Sequence, residues 1–327
     1  MRVEPATSHI DDLAGPEFLP SNAGDCGSSV IDPSGGLAAG HVARDSDFIG
    51  KCGMVLQTLS IYGAIGITSF GWALSRLLHF ECSRYVPLWF CSALFIYNVD
   101  RLKTDPADLI NIPSRRHSAE KLRGISRAIA AISAAALVLV PVLERDWLML
   151  LLTTGGAVVC VNYSVPLLGF RFKDVPYLKS FFAPTLVTAS FVVPPLLQQP
   201  GGSSPAFYTT VAAWTWCVTM FNMVLCDLRD IEGDANTGIR SLPVAIGFRR
   251  TIFVLVALLV FGVACSIAAL PLCGAGMVAF WFFASLAMPF YLAGLLVALR
   301  RPVTEGFYEW WVEGILLVPA LAFLISQ

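Results

Sequence analysis

The feature that most constrains this chain is a succession of nine apolar runs, most of them close to twenty residues long. A helix rises 1.5 Å per residue and the hydrocarbon core of a bilayer is about 30 Å thick, so runs of this length can span a membrane. The runs cover residues 52–75, 85–100, 124–143, 147–168, 178–198, 206–227, 251–272, 275–299 and 309–326. They predict an all-α, polytopic membrane protein.

The overall composition supports the same fold class. Hydrophobic residues make up 56% of the chain and charged residues 14%, whereas soluble proteins carry roughly 25% charged residues. The formal net charge is −1, so there is no general basic field of the kind that binds nucleic acid. A soluble nucleic-acid-binding or scaffold role is therefore excluded.

The first 48 residues differ from the rest of the chain. They are rich in Gly, Ser, Pro and Asp and have no sustained apolar period, which is typical of disordered segments. They also lack the basic start and short apolar core of a signal peptide. We expect two parts: a disordered cytoplasmic segment, 1–48, and a membrane domain, 49–327.

The positive charges predict an orientation. Seven Lys and Arg residues lie between 101 and 127, after the second run, and further basic residues follow the fourth, sixth and eighth runs. The loop between the seventh and eighth runs has none. By the positive-inside rule the N-terminus and the basic loops are cytoplasmic, which suits a bacterial inner membrane.

One group of candidate site residues lies in the second acidic segment of the chain, Asp227-Leu-Arg-Asp230-Ile-Glu-Gly-Asp234. On a continuous helix, positions 227, 230 and 234 share one face. Three carboxylates on one face repel each other, so they need a compensating cation, and oxygen ligands without His or Cys favour Mg²⁺. The alternative is an ordinary solvated helix end.

The first acidic segment of the chain, at the same predicted membrane face, runs from Asn98 to Asp108. Asn98 and Asp100 lie at the membrane end of a predicted helix, where a polar or ionisable group is a functional candidate. If the helix continues, Asp100 and Asp108 share a face. Alternatively, Asp105 caps a new short helix that begins at Pro106 and has Asp108 in its first turn.

The sequence from 227 to 247, DLRDIEGDANTGIRSLPVAIG, resembles the second Asp-rich motif of the UbiA superfamily of intramembrane prenyltransferases. In that family the motif is followed by a Gly, a basic residue and a T/S-L-P-V-x-x-G run. The matching residues are Asp227, Asp230, Asp234, Gly238, Arg240, Leu242, Pro243, Val244 and Gly247. The segment from Asn162 to Pro166, with Lys173 and Lys179 after it, resembles a Y-S-x-P…K segment of the family. The resemblance covers roughly residues 50–327.

The first acidic segment departs from the family pattern N-D-x-x-D-x-x-x-D. With Asp100–Arg101 aligned to the family's Asp-Arg pair, Ile96 and Tyr97 stand where Asn-Asp would be, and Asn98 is the candidate substitute. The last Asp of the pattern falls one residue short of Asp105.

The resemblance implies a helical bundle around a central cavity, in which Mg²⁺ bridges the diphosphate of an isoprenoid donor to Asp-rich segments. The metal ligands that it implies are Asn98, Asp100, Asp105, Asp227, Asp230 and Asp234. The basic residues that it implies for the diphosphate are Arg101, Lys103, Arg171, Lys173, Lys179 and Arg240. Asp100, Asp230, Asp234 and the aromatic Tyr163 are the catalytic candidates.

The reaction implied is transfer of a prenyl group to a lipophilic acceptor, with an aromatic acceptor expected. Two alternatives stay open. One is a terpene cyclase-like enzyme on the same fold, which ionises the donor without an acceptor. The other is a non-catalytic lipid-binding or transport protein, which the altered first motif favours.

Overall fold

The computed structural model describes residues 52–103, 106–198, 204–272, 287–299 and 306–326. Every regular element in these ranges is helical, which confirms the predicted all-α class. The α-helices in chain order are α1 (Cys52–Thr58), α2 (Ile61–Leu77), α3 (Tyr85–Leu102), α4 (Pro106–Asn111), α5 (Pro113–Leu143), α6 (Trp147–Ser164), α7 (Leu178–Gln198), α8 (Pro205–Arg229), α9 (Ile231–Asn236), α10 (Leu242–Ile246), α11 (Phe248–Ala269), α12 (Ala287–Leu299) and α13 (Val318–Ser326). The predictions for 1–48 fall outside the described residues.

Within the described residues, six helices are long and apolar enough to cross a membrane, or seven if α1 and α2 form one span bent by 66°. The predicted count of nine is therefore not confirmed. α3 is not among the six, because its last turn carries Asp100 and Arg101. The run predicted at 275–299 is described only from Ala287 onward.

Local chemistry explains where several helices begin and end. The Asp146 and Ser204 side chains cap α6 and α8 by accepting from the Met149 and Phe207 amides, at 2.9 and 3.2 Å. The fourth predicted helix was expected to reach 168, but α6 ends at Ser164. The reason is Pro166, which holds the preceding residue, Val165, in an extended conformation.

The break between α1 and α2 is held by the polar end of α3. Ser60 adopts a left-handed conformation there, with φ 59°. The Arg101 guanidinium donates to the carbonyls of Gln57 and Thr58, at the C-terminus of α1, and the Asn98 amide donates to the Leu59 carbonyl at 3.1 Å. These contacts satisfy carbonyl groups that a helix end leaves without partners.

The core of the bundle is aromatic and lies where α2, α3, α7 and α8 meet. The Phe191 ring packs edge-on against Phe70 and Trp89, with centroids 5.9 and 5.1 Å apart. Gly71 allows this approach, because a Cβ there would lie 2.5 Å from the Phe191 ring. α8 is the most buried of the candidate spans, so it is the central helix of the bundle.

The last span begins with a π-helical turn, Phe307–Val312. Side chains from α1, α2 and α8 donate to backbone carbonyls in this turn. Gln57 donates to Glu309 at 2.7 Å, Tyr62 to Trp310 at 3.1 Å and Asn222 to Val312 at 2.5 Å. Irregular backbone at membrane depth is stable only when its polar groups are satisfied in this way.

Candidate functional site

The second acidic segment surrounds one lysine. The Lys179 ammonium, near the start of α7, lies 3.5 Å from Asp227, 3.8 Å from Asp230 and 2.6 Å from Asp234. The Asp227 and Asp234 side chains are each only 1% exposed. The cation that three clustered carboxylates require is thus supplied, in this structure, by Lys179.

The backbone brings these carboxylates together in a way that differs from the prediction. We expected one helix to carry all three, but α8 ends at Arg229, and Asp230 joins it to the separate helix α9. Asp234 lies on α9 and still reaches Lys179. The prediction that the three carboxylates share one face of a continuous helix was therefore wrong, although the expected cluster is present.

Ser180 is a member of the cluster that sequence reasoning missed. Its hydroxyl donates to the Asp227 carboxylate and accepts from the Leu242 amide, the latter at 2.9 Å. The Ser-Leu-Pro segment after the second motif is thereby tied to Asp227. The only signal in the sequence was the position of Ser180 next to Lys179.

Asp234 lies outside the spanning helices, and its surroundings shift the pKa of its carboxyl group. Burial raises the pKa of its carboxyl group, and the adjacent Lys179 ammonium opposes this shift. A buried carboxylate without such a partner takes up a proton to avoid the cost of desolvation. Lys179 therefore favours the ionised form of Asp234.

The first acidic segment contributes Asp100, at the end of α3. Its carboxylate accepts from the Ser164 hydroxyl and lies 3.9 Å from the Lys173 ammonium. Lys103 donates to the Ser164 carbonyl at 2.6 Å. The Asp100 side chain is 40% exposed whereas Lys173 is buried, so Asp100 presents an accessible carboxylate beside a buried cation.

Tyr163 connects the two acidic segments. The next residue on α6, Ser164, donates to Asp100, and Phe182 lies three residues after Lys179 on α7. The Tyr163 ring stacks on Phe182, with centroids 5.0 Å apart and an interplanar angle of 20°. The structure therefore gathers Asp100, Tyr163, Lys173, Lys179 and the three Asp residues of the second segment at one site.

Four of the predicted site residues make contacts outside this cluster. The Asn98 amide and the Arg101 guanidinium are directed at the α1–α2 break, since residues one or two positions from Asp100 on a helix do not share its face. Arg171 pairs with Asp174 at 2.6 Å. Arg240 is exposed and uses its backbone carbonyl to accept from the Tyr177 amide at 2.8 Å.

The region around Asp108 forms the new short helix that the second alternative predicted. α3 ends at Leu102 and a new helix, α4, begins at Pro106 with Asp108 in its first turn. The prediction that Asp100 and Asp108 share a helix face is therefore wrong, because Pro106 starts a separate helix. Asp105 lies outside the described residues.

Asn111, at the end of α4, is a second residue that sequence reasoning missed. Its side-chain oxygen accepts from the Gly233 amide at 2.8 Å and so joins α4 to α9. A Cβ at Gly233 would lie only 2.4 Å from that oxygen. The two acidic segments are thus held together by a contact that needs a glycine.

An apolar pocket of about 400 Å³ lies between α3, α6 and α7. Its lining reaches Ile96 on α3 and Cys160 on α6, each about one helical turn from Asp100 and Tyr163 respectively. At the other end lie Tyr85, Leu88 and Trp89. The pocket therefore begins about one helical turn from Asp100 and Tyr163, extends into the membrane domain and can hold a hydrocarbon chain.

The carboxylate oxygens of the cluster suit a hard cation such as Mg²⁺ only when other ligands, such as water or substrate phosphate, complete its coordination. Among the residues that the structure describes, no three His, Cys, Asp or Glu side chains form a complete metal-binding group. Mg²⁺ usually binds one or two carboxylates together with water and substrate phosphate oxygens. Asp100 and Asp230 remain partly exposed, so their oxygen atoms fit such a site.

Comparisons with known proteins identify the family of this chain. The model of the UbiA prenyltransferase family matches residues 97–311. Digeranylgeranylglyceryl phosphate synthase of Natronomonas pharaonis is 27% identical over 223 residues, which cover 67% of this chain and 75% of that protein. Lycopene elongase/hydratase of Haloferax volcanii is 35% identical over 95 residues, covering 28% of this chain and 29% of the relative.

A solved structure concerning digeranylgeranylglyceryl phosphate synthase in membranes aligns with a TM-score of 0.47 and 16% identity. The alignment covers 85% of this chain and 98% of that structure. The family match, which spans more than half of the chain, decides the assignment. This chain is an integral membrane prenyltransferase of the UbiA prenyltransferase family.

Proposed function

We propose that this protein transfers a prenyl group from an isoprenoid diphosphate to a lipophilic acceptor, with Mg²⁺ at the acidic cluster. The observation that carries the proposal is the apolar pocket that begins about one helical turn from a cluster of carboxylates and lysines. An isoprenoid diphosphate has the same two parts, a hydrocarbon chain and a charged head. The pocket and the cluster match these parts in order.

In the proposed reaction, the C–O bond of the donor breaks and its electron pair leaves with the diphosphate. A new bond forms between the allylic carbon and the acceptor, which releases a proton. Bound Mg²⁺ would neutralise charge on the leaving diphosphate. Lys173 and Lys179 add fixed positive charge at the same place, which stabilises the developing charge in a site of low dielectric.

Asp100 and Asp230 are the residues that would hold the Mg²⁺–diphosphate complex, since both are partly exposed at the cluster. The allylic cation must be shielded from water until the acceptor reacts. The apolar pocket walls serve this purpose, and the stacked rings of Tyr163 and Phe182 offer an aromatic face to a cation.

The acceptor is proposed only as a class. The names of the two relatives refer to digeranylgeranylglyceryl phosphate and to lycopene, both of which are lipophilic. A lipophilic acceptor also reaches a site inside a membrane domain without crossing water. The aromatic acceptor expected from the sequence stays a prediction, as does the cytoplasmic location of the cluster.

The direct test is diphosphate release by the purified protein in lipid, given geranylgeranyl diphosphate and a mixture of lipophilic acceptors. We expect release in Mg²⁺ and its loss in EDTA. Product analysis with the donor alone separates transfer from cyclisation, because a cyclase needs no acceptor. Absence of release across donors of several lengths would contradict the proposal and favour lipid binding or transport.

Changing Gly233 to alanine should lower the rate of diphosphate release by about tenfold, the equivalent of about one net hydrogen bond. The new Cβ would occupy the position of the Asn111 side-chain oxygen, so Asn111 must turn away and α9 loses its link to α4. The rate is measured in lipid with Mg²⁺. Gly124→Ala is the matched control, because a Cβ at Gly124 meets no described atom within 4 Å.

A double variant tests whether the conflict with Asn111 causes the loss of rate in Gly233→Ala. Asn111→Ala together with Gly233→Ala removes the steric conflict, so its rate should be close to that of Asn111→Ala alone. Rates that simply multiply would show that the two residues act independently.

A further inference from the structure

One wall of the apolar pocket carries two adjacent glycines, Gly155 and Gly156, near the middle of α6. Glycine is less favourable than alanine in a helix by about 1 kcal/mol. Two in succession therefore need a reason. In membrane helices the usual reason is close packing, because small residues let two backbones approach.

Close packing does not explain this pair. A Cβ built on Gly155 or Gly156 meets no atom of the described residues within 4 Å. Other glycines of the bundle do show the packing role: a Cβ on Gly71 would lie 2.5 Å from Phe191, and one on Gly314 would lie 2.4 Å from the Tyr62 hydroxyl. The space beside Gly155 and Gly156 is the pocket itself.

The pair also lies at a defined depth. Gly156 is seven residues before Tyr163 on α6, which is about two helical turns or 10 Å below the cluster. Opposite, α3 and α7 supply larger side chains such as Phe95 and Val187. The glycines therefore widen the pocket at a level that only the later prenyl units of a donor can reach.

We propose that Gly155 and Gly156 determine the length of prenyl donor that the enzyme accepts, by keeping the pocket open for a chain of several units. This inference rests on the proposed function and specifies its donor class. Long-chain donors pass the glycines, whereas a two-unit chain ends near them. A side chain at either position would close the pocket to the longer donor only.

The test compares geranylgeranyl diphosphate, with four prenyl units, and geranyl diphosphate, with two. Gly156→Leu and Gly155→Leu should each lower kcat/KM for the longer donor relative to the shorter by about tenfold or more, as expected when a hydrophobic pocket loses room. Leucine is a better helix former than glycine, so α6 is retained. Gly124→Leu, outside the pocket, should leave the ratio unchanged.

An unchanged ratio, or equal loss with both donors, would overturn the assignment of these glycines. Failure of the wild-type protein to release diphosphate from either donor would instead overturn the proposed function. In that case binding still tests the inference. Geranylgeraniol should raise the melting temperature of the wild-type protein more than that of Gly156→Leu, and equal shifts would overturn it.

Discussion

Replacing Asp230 with asparagine should reduce diphosphate release by about 10²–10³-fold, as is usual when one group that stabilises transition-state charge is removed. Asp230 lies at the junction of α8 and α9, 3.8 Å from Lys179, and remains partly exposed. The proposed function assigns it to the Mg²⁺–diphosphate complex. Asparagine has the same size and can still accept from the Arg229 guanidinium, which now lies 2.7 Å from the Asp230 carboxylate.

The measurement is the initial rate of diphosphate release in lipid at saturating donor, with the melting temperature recorded in parallel. Asp108→Asn is the matched control, because Asp108 lies in the first turn of α4, where a negative charge favours the helix N-terminus. We expect that control to keep most of its activity. A wild-type rate in Asp230→Asn would show that the second acidic segment does not act on the diphosphate.

The cluster of Asp227, Asp230 and Asp234 could be predicted from sequence because the three residues are close in the chain. Their carboxylates meet whether the chain continues as one helix or breaks and turns. The three residues were placed on one helix face, but the chain instead breaks at Asp230 and returns through α9. Both paths bring the carboxylates to the same cation. The sequence did not show that this cation is Lys179, since Lys179 lies on a different helix.

Asn98 and Arg101 show the limit of arguing from proximity in sequence. Both adjoin Asp100, and both were grouped with it as site residues. On a helix, however, residues one or two positions apart point in different directions, so these side chains reach the α1–α2 break instead. The helical period alone could have separated them from Asp100.

Asn111 and the apolar pocket could not have been predicted from sequence. Asn111 contacts Gly233, 122 residues away in the chain, and no periodicity links the two. The pocket takes its shape from three helices whose relative positions depend on packing. A glycine in a membrane helix more often serves close packing. A different role for Gly155 can be inferred only when the neighbouring space is known to be open.

Replacing Lys179 with methionine should destabilise the fold and make its stability depend on Mg²⁺. Removing one member of a buried ion pair typically costs about 3–5 kcal/mol, because the partner charge remains buried without compensation. Here Lys179 is the shared partner of Asp227, Asp230 and Asp234. Methionine keeps the length and apolar stem of the side chain, so the change isolates the charge.

The melting temperature in detergent, with Mg²⁺ and with EDTA, provides the measurement. We expect Lys179→Met to melt well below the wild type in EDTA and to recover with Mg²⁺ more than the wild type does, because the divalent cation replaces the missing ammonium among the carboxylates. Lys121→Met, at an exposed position of α5, should behave as the wild type. An equal melting temperature in EDTA would mean that Lys179 does not stabilise the cluster, and a loss that Mg²⁺ leaves unchanged would mean that these carboxylates do not bind the metal.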